Sequence, residues 1–327
     1  MVRGNPKLSI GLPVYNGEKF LAAALDSLLA QTFQDFEIVI VDNASSDTTE
    51  KICRTYAARE PRIRYVRNER NIGGPLNFNR AFELSRGAYF KWAASDDLSE
   101  PDFLRRCIEV LNADPTVVMC HPKTRLIDDR GEILGDYVDR LRTDSPSPQR
   151  RFHDMICYKH SCFQMFGVVR SDILRKVRLL RQYTGSDLWM LAELTLHGKV
   201  CEVPEFLFLR RSHRGSSWDP GDLYRKSWWN PSDPESMRFP AARRFGEFVA
   251  MVMRSRLSVA VRLLCLWQIV IWLGRGVQKK LFRNRRIAFE QEQSLVPSSS
   301  VPVQKQSGQE AAANLFAVAL MCLETVL

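Results

Sequence analysis

The chain has 327 residues, of which 45% are hydrophobic and 26% are charged, and its formal net charge is +10 at pH 7. A chain of this length and composition builds one large globular domain or two smaller ones, which excludes a peptide. The basic excess indicates an anionic partner. Eight cysteines are too few for a disulfide-scaffolded secreted protein, and the stretch MVRGNPKLSIGLPVYN lacks the apolar segment of a signal peptide, so we expect a reducing, cytosolic setting.

In the first third of the chain, four apolar runs rich in β-formers alternate with four segments of helical periodicity. The apolar runs are KLSIGLPVYN, FEIVIVDN, IRYVRN and AYFKWAAS. This alternation is typical of βαβ units and predicts a mostly parallel sheet covered by helices. Because parallel crossovers are right-handed, the strands should present their carboxyl ends at one edge, where open α/β sheets bind ligands.

Candidate ligand-binding residues, most of them polar, stand at the ends of the four predicted strands at this edge. They are Pro13, Tyr15 and Asn16 after the first strand, Asp42 and Asn43 after the second, Arg70 and Asn71 after the third, and Asp96 and Asp97 after the fourth. Two adjacent carboxylates repel each other unless water, a cation or a helix N-terminus takes up their charge. A divalent cation shared with a nucleotide diphosphate would do so. The alternative is that one of the two acids caps a helix that starts near Pro101.

Past residue 120 the regular alternation loosens. A second region, roughly residues 150–220, holds a predicted helix, SDLWMLAELTLHG, and a predicted strand that leads into a basic loop, KVCEVPEFLFLRRSHRGSSW. Asp187 stands at the start of the helix, either as a functional acid or as its N-cap. The stretch HDMICYKHSC resembles a metal site, but zinc fingers pair their ligands over longer separations, so we favour buried, inert thiols there. Its four candidate ligands are His153, Cys157, His160 and Cys162.

Residues 221–286 are predicted to form a connection followed by amphipathic helices, and residues 245–286 differ in composition from the rest of the chain. Residues 222–240 are rich in Trp, Pro and Asp and indicate an irregular connection. The segment FGEFVAMVMRSRLSVAVRLLCLWQIVIWLGRG is apolar, but arginines interrupt it and its longest apolar run is too short to span a bilayer. With the basic stretch RGVQKKLFRNRR beside it, we expect amphipathic helices that attach to an anionic membrane surface. The alternative is a pair of core helices with a solvated basic end. For residues 287–327 we expect a disordered tail with a short terminal helix.

Three separate stretches resemble the inverting family 2 glycosyltransferases of GT-A fold, over roughly residues 7–215. They are LSIGLPVYNGEKFLAAALDSLLAQTFQDFEIVIVDNASSDTT, RNIGG and ASDDLSEPDFL, in the order and spacing of that family. The resemblance implies an α/β nucleotide-diphospho-sugar transferase fold, with a mostly parallel central sheet and helices on both faces. Residues 1–220 would form the transferase, with a nucleotide-sugar half at 1–120 and an acceptor half at 121–220. The donor would be a nucleoside diphosphate sugar and the cofactor a divalent cation, Mn²⁺ or Mg²⁺.

The resemblance also implies roles for particular residues. The nucleobase and ribose pocket would be lined and closed by Pro13, Tyr15, Glu18, Asp42, Asn71 and Gly73. Asp96 would approach the ribose or diphosphate, Asp97 would hold the metal, and Asp187 would be the catalytic base. The stretch RRSHRGSS resembles the family's later Arg/His loop near the diphosphate, which assigns Arg210, Arg211 and His213 to that group. The alternatives are that the two arginines are solvated surface charge and that His213 is a plain loop histidine.

The chain departs from the family pattern at two positions. Ser95 replaces the first acid of the DxD-like motif, so the metal would rest on a single carboxylate, and Ser186 replaces the acid that commonly precedes the base. There is no QxxRW motif, so the processive polysaccharide synthases match poorly.

The chemistry expected of these residues is coherent. Asp187 would take the proton of an acceptor hydroxyl as its oxygen attacks the anomeric carbon, and the cation with the Arg/His loop would stabilise the departing diphosphate. We expect the acceptor to be lipid-linked or a cell-surface polysaccharide precursor, and the protein to be peripheral on the inner face of the cell membrane.

Two other functions compete with this interpretation. One is a nucleotidyltransferase on a similar fold, and the other is a catalytically inert basic protein that binds membranes. The usual phosphate-cradling loops GxGxxG and GxxxxGK[ST] are absent from the sequence, which argues against a dehydrogenase. No motif supports nucleic acid as a partner.

Overall fold

The computed structural model describes residues 5–213, residue 228 and residues 241–275. The predictions for residues 222–240, of which only residue 228 is described, for residues 287–327, and for the basic stretch past residue 275 lie outside the described residues.

The first four strands and helices alternate along the chain as the sequence predicted. The strands are β1 (Leu8–Val14), β2 (Phe36–Asp42), β3 (Ile63–Arg67) and β4 (Tyr89–Trp92). The helices are α1 (Leu21–Leu29), α2 (Thr49–Arg59), α3 (Gly74–Glu83) and α4 (Phe103–Ala113). Every residue of β1 and β4 is buried, which is why these strands are continuous apolar runs rather than alternating ones.

The second half of the chain completes the sheet with shorter and more irregular elements. Its strands are β5 (Leu98–Ser99), β6 (Val117–Ile127), β7 (Ile133–Tyr137), β8 (Val168–Arg170) and β9 (Lys199–Arg211). Its helices are α5 (Pro148–Cys157), α6 (Ser171–Leu174), α7 (Ser186–His197), α8 (Ala241–Arg254) and α9 (residues 259–275), with a 3-10 helix at Phe163–Phe166.

The strands form one mixed sheet in the order β3-β2-β1-β4-β8-β6-β9-β5, with β7 paired to β6. The block β3-β2-β1-β4 is parallel, and so is the pair β6 and β9, while β8 runs antiparallel to both of its neighbours. The chain leaves β1 toward β2 and β3 on one side and returns with β4 on the other. The strand order therefore reverses between β1 and β4, which is where open α/β sheets bind their ligands.

Apolar side chains fill both faces of the sheet. Successive residues of β4 show this, because Tyr89 packs in one core cluster and Phe90 in the other, as expected for a strand whose side chains alternate. The cluster that contains Tyr89, the first core cluster, lies under α1, α2 and α4. The cluster that contains Phe90, the second core cluster, lies under α5 and α7.

Helices α8 and α9 pack against the second of these core clusters. Phe248 and Val252 of α8, and Cys265 and Ile269 of α9, have no exposed surface there. Within the described residues, we find no helix that combines the length and the apolar character needed to cross a bilayer.

Candidate active site

The loop after β1 and the loop after β2 are joined by hydrogen bonds at the carboxyl edge of the sheet. The backbone N–H of Asn16 donates to Ser45 Oγ at 2.9 Å, and that of Gly17 donates to Thr49 Oγ1 at 2.8 Å. Glu18 Oε2 accepts from the N–H and the hydroxyl of Thr48 at 3.0 and 2.8 Å. Glu18 therefore satisfies the start of α2, where backbone donors lack helical partners. The side chain of Tyr15 in this loop is exposed, and Pro13 is buried in β1 opposite Val41.

Asp42 ends β2 with a fully buried carboxylate. Its Oδ1 accepts from the N–H of Ser45 at 2.8 Å, and its Oδ2 accepts from Tyr65 Oη at 2.8 Å and from Arg67 Nη1 at 2.6 Å. Burial alone would raise the pKa of Asp42, but the hydrogen bonds from Ser45, Tyr65 and Arg67 outweigh it and lower the pKa. Asp42 is therefore a fixed anion whose two oxygens are both engaged by protein groups.

A network of asparagine side chains connects the ends of β2 and β3 to the start of α3. Asn43 Nδ2 donates to Asn71 Oδ1 at 2.8 Å, and Asn71 Oδ1 also accepts from the N–H of Gly73 at 2.9 Å. Asn68 Nδ2 donates to Asn43 Oδ1 and to Asn77 Oδ1, both at 2.9 Å. Gly73 has φ of 87°, a left-handed conformation that favours glycine. The network fixes the RNIGG loop at the edge of the sheet.

Asn68 and Asn77 are buried members of this network that the sequence analysis did not identify. The available signal was that Asn68 directly follows β3 and that Asn77 lies in the first turn of α3, where it reaches the carbonyl of Val41 at 2.8 Å.

Asp96 and Asp97 lie between β4 and β5, and cationic side chains from the end of β9 surround them. Arg210 Nη1 is 2.8 Å from Asp97 Oδ1 and 3.6 Å from Asp96 Oδ2. The N–H of Arg211 donates to Asp97 Oδ1 at 2.9 Å, and His213 Nε2 is 2.9 Å from Asp96 Oδ2. A guanidinium thus takes up part of the charge of the acidic pair.

The capping alternative for this pair is wrong. Helix α4 begins at Phe103, two residues past Pro101, and its N-cap residue is Asp102 rather than Asp96 or Asp97. The alternative that Arg210 and Arg211 are solvated surface charge is also wrong, because both side chains are buried. Arg211 donates from Nε to the carbonyl of Asp96 at 2.8 Å, and its guanidinium lies 4.7 Å from the ring of Phe20.

The two carboxyls of the pair have opposite electrostatic properties. Burial raises the pKa of Asp97 and the charge of Asp96 acts in the same direction, while Arg210 opposes both, and the net pKa is about 6. Burial acts in the same direction on Asp96, but the hydrogen bond from His213 and the charge of Arg210 outweigh it and lower the pKa of Asp96. Asp96 is the more firmly ionised of the two.

The residues around Asp97 fit a cation that is also held by phosphate oxygens. Its Oδ2 is buried and has no hydrogen-bond partner among the described residues. One or two carboxylates with phosphate oxygens and water are the usual set for Mg²⁺ or Mn²⁺. No group of three or more His, Cys, Asp or Glu side chains in the described part of the chain is arranged to hold a metal by itself.

Asp187 lies in the first turn of α7, whose N-cap residue is Gly185, so it is not the cap of that helix. It shares no hydrogen bond or ion pair with the Asp96, Asp97 and Arg210 cluster among the described residues. Burial raises the pKa of Asp187, although the hydrogen bond from the N–H of Leu188, the electrostatic effect of nearby His160 and the Cys162 thiol act in the opposite direction. A carboxyl with a raised pKa is suited to accept a proton.

Among the described residues, the four candidate ligands of the HDMICYKHSC stretch are not part of any group arranged to hold a metal ion. His153 Nδ1 lies 2.8 Å from Gln268 Oε1, and His160 Nε2 lies 2.9 Å from the carbonyl of Met155. Cys157 is part-buried, and Cys162 is buried, with its pKa raised by burial and by the nearby Asp187.

The fold is that of the GT-A glycosyltransferases, as comparison with solved structures shows. Staphylococcus aureus TarS 1-349 in complex with UDP-GlcNAc superimposes with a TM-score of 0.60 at 17% identity, over 83% of this chain and 73% of that one. The mannosyltransferase from Pyrobaculum calidifontis in complex with GDP-Man and Mn²⁺ superimposes with a TM-score of 0.55 at 16% identity, over 98% of this chain and 81% of that one. The fold class predicted from the sequence is confirmed.

The family model described as glycosyl transferase family 2 matches residues 9–174, half of the chain, and the chain belongs to this family. Chondroitin synthase of Escherichia coli is 33% identical over 131 residues, which are 40% of this chain and 19% of that protein. An uncharacterised protein of Sinorhizobium fredii is 34% identical over 260 residues, which are 77% of this chain and 27% of that protein. The chain spans between about a fifth and just under two thirds of the length of the first five curated relatives.

Proposed function

We propose that this protein transfers a sugar from a nucleoside diphosphate sugar to an acceptor hydroxyl, with inversion at the anomeric carbon. The observation that carries the proposal is the cluster of Asp96, Asp97, Arg210 and His213, at the carboxyl edge where the strand order of the sheet reverses. Family membership supports the reaction class. Two proteins that share the fold have structures in complex with UDP-GlcNAc or GDP-Man, which supports a nucleotide sugar as the donor.

The nucleotide would bind at the joined loops after β1, β2 and β3. The residues expected to line and close its pocket are Pro13, Tyr15, Glu18, Asp42, Asn71 and Gly73. Asp42 and Asn71 are already tied to neighbouring side chains, so their part is to hold the shape and charge of the pocket before the donor arrives. A preformed pocket loses little conformational entropy on binding.

The diphosphate would face the cluster at the end of β9. Arg210, Arg211 and His213 would stabilise the negative charge that develops on the departing nucleoside diphosphate. A divalent cation, Mn²⁺ or Mg²⁺, would be held by Asp97 through its unpartnered Oδ2, with Asp96 next to it. When bound, this cation supplies positive charge at the leaving group.

Asp187 would act as the general base. The acceptor hydroxyl forms a bond from its oxygen to the anomeric carbon, the bond from that carbon to the diphosphate oxygen breaks, and the hydroxyl proton passes to the Asp187 carboxylate. One displacement of this kind inverts the anomeric configuration. Burial raises the pKa of Asp187 toward neutral pH, and a general base is most effective when its pKa lies near the operating pH.

The acceptor would be a lipid-linked or other surface-bound glycan precursor at the cytosolic face of the cell membrane. The basic, apolar C-terminal part of the chain supports this location, because it would bring the site close to such an acceptor.

A transfer assay tests the proposal. Purified full-length protein is incubated with a panel of nucleoside diphosphate sugars and short glycan acceptors, and released nucleoside diphosphate, product mass and anomeric configuration are measured. We expect release of nucleoside diphosphate and a product of inverted configuration. Release of pyrophosphate would instead indicate a nucleotidyltransferase, and retention of configuration would contradict the single displacement.

A further inference from the structure

Helix α9, residues 259–275, carries apolar side chains on two opposite faces. The inner face is packed, since Cys265 and Ile269 are fully buried and Leu266 and Trp272 rest against the same core cluster. This packing fixes the orientation of the helix on the protein.

The outer face of α9 is apolar and exposed. Val259, Leu263, Trp267 and Val270 follow one another at intervals of four, four and three residues, which places them on one stripe of the helix. They are 71%, 61%, 59% and 37% exposed. Contiguous exposed apolar side chains on a folded domain often mark an interaction site, so this stripe is a candidate docking surface.

The charge of the chain on and next to α9 indicates the occupant of the stripe. The described residues 248–275 contain four arginines and no Asp or Glu, and in the sequence five further Lys or Arg residues and no acid follow up to residue 289. Arg256, next to the start of α9, is exposed. A second copy of the chain would bring the same positive charge to the contact and be repelled, whereas anionic lipid headgroups would be attracted. A tryptophan within the stripe suits the membrane interface, where the amphipathic ring is favoured.

We propose that the stripe Val259, Leu263, Trp267 and Val270 of α9 docks on the surface of an anionic lipid bilayer, with the neighbouring basic residues at the headgroups. The helix would lie along the membrane plane, with its inner face still on the protein core. This inference stands on the stripe and its charge, and does not depend on the transfer reaction.

Vesicle binding tests the inference with the full-length chain. Cosedimentation is measured with vesicles of phosphatidylcholine alone and of phosphatidylcholine mixed with phosphatidylglycerol, at low and high ionic strength. The test variant is Leu263→Ser with Trp267→Ser. The matched control is Ile133→Ser with Leu134→Ser, a pair on β7 with 63% and 60% exposure.

We expect salt-sensitive binding of the wild type to anionic vesicles only. The α9 variant should bind at least about tenfold more weakly, because it loses two apolar side chains that enter the interface. The β7 control should bind like the wild type. Arg256→Gln leaves the stripe intact and should weaken binding by about fivefold.

Four results would overturn the inference. They are no anionic vesicle binding by wild type with a folded circular dichroism spectrum, no loss in the α9 variant, an equal loss in the β7 control, or a stripe-dependent dimer in light scattering without vesicle binding. Calorimetric donor binding by the α9 variant should be unchanged, so failure of membrane docking and failure of sugar transfer are distinguishable.

Discussion

Replacement of Arg210 by methionine should destabilise the protein by about 3–5 kcal/mol. The side chains of Arg210 and Asp97 are only 8% and 3% exposed, with Nη1 and Oδ1 2.8 Å apart. Asp96 Oδ2 is 3.6 Å from the same nitrogen. Methionine is of similar length but carries no charge, so the variant would leave two adjacent carboxylates without their buried cation.

The free energy of unfolding is measured by urea denaturation followed by circular dichroism, in Arg210→Met and in a matched control. The control is Arg106→Met, which breaks a pair to Glu205 of 2.6 Å between side chains that are 36% and 38% exposed. Because water screens this surface pair, its loss should cost much less than the loss of the buried pair.

The loss of stability in Arg210→Met should depend on pH. Arg210 lowers the pKa of Asp97, so its removal should raise that pKa further above the present value of about 6. A carboxyl whose pKa is higher in the folded state favours folding below its unfolded pKa of 3.8, and this contribution is lost as the pH rises through the folded pKa. The difference in the free energy of unfolding between wild type and Arg210→Met should therefore shrink as the pH falls toward 3.8.

Mn²⁺ should restore part of the stability of Arg210→Met, because a cation can replace the missing charge, and should leave Arg106→Met unchanged. A loss no larger than that of the control, or a loss that is the same at every pH, would refute the role of Arg210 as the buried counter-ion.

Three further predictions concern other parts of the site. Asp187→Asn should lower kcat by about 10²- to 10⁴-fold and leave calorimetric donor binding unchanged, and a normal kcat would show that another group is the base. Cys162→Ala removes a donor that favours the ionised base, so the acid limb of the kcat/KM pH profile should move to higher pH, whereas Cys162→Ser should keep it; identical profiles for both would contradict the thiol contact. Asn77→Ala leaves the carbonyl of Val41 and the amide of Asn68 without this partner and should cost about 1–3 kcal/mol in urea unfolding. A value within about 0.5 kcal/mol of wild type would mean that the network is not important for stability.

The parallel half of the sheet was predictable because its signals are local. Four apolar runs with helix-period segments between them fixed β1 to β4 and their helices, and right-handed crossovers placed the polar strand ends at one edge. The residues that contact Asp96 and Asp97 were harder to predict from the sequence. A cation was expected beside Asp96 and Asp97, but the contact with Arg210 joins residues more than a hundred positions apart and depends on β9 pairing with β5 and β6.

Tertiary contacts also decided details that residue patterns cannot reveal. Lys91 stands in an apolar strand run, and its Nζ is buried against the carbonyl of Phe166 at 3.0 Å and 4.3 Å from the ring of Phe103. The pattern of α9 was apolar on most sides, so the sequence could not say which face is covered by the core. The packing of Cys265 and Ile269 determines this.

Calorimetric titration of nucleoside diphosphate sugars, with Mn²⁺ and with chelator, into wild type and Asp97→Asn tests the central claim most directly. We predict that one nucleotide binds the wild type when Mn²⁺ is present and that Asp97→Asn loses this metal-dependent binding. Absence of binding to a demonstrably folded wild-type protein, or equal binding by Asp97→Asn, would contradict the proposed donor site.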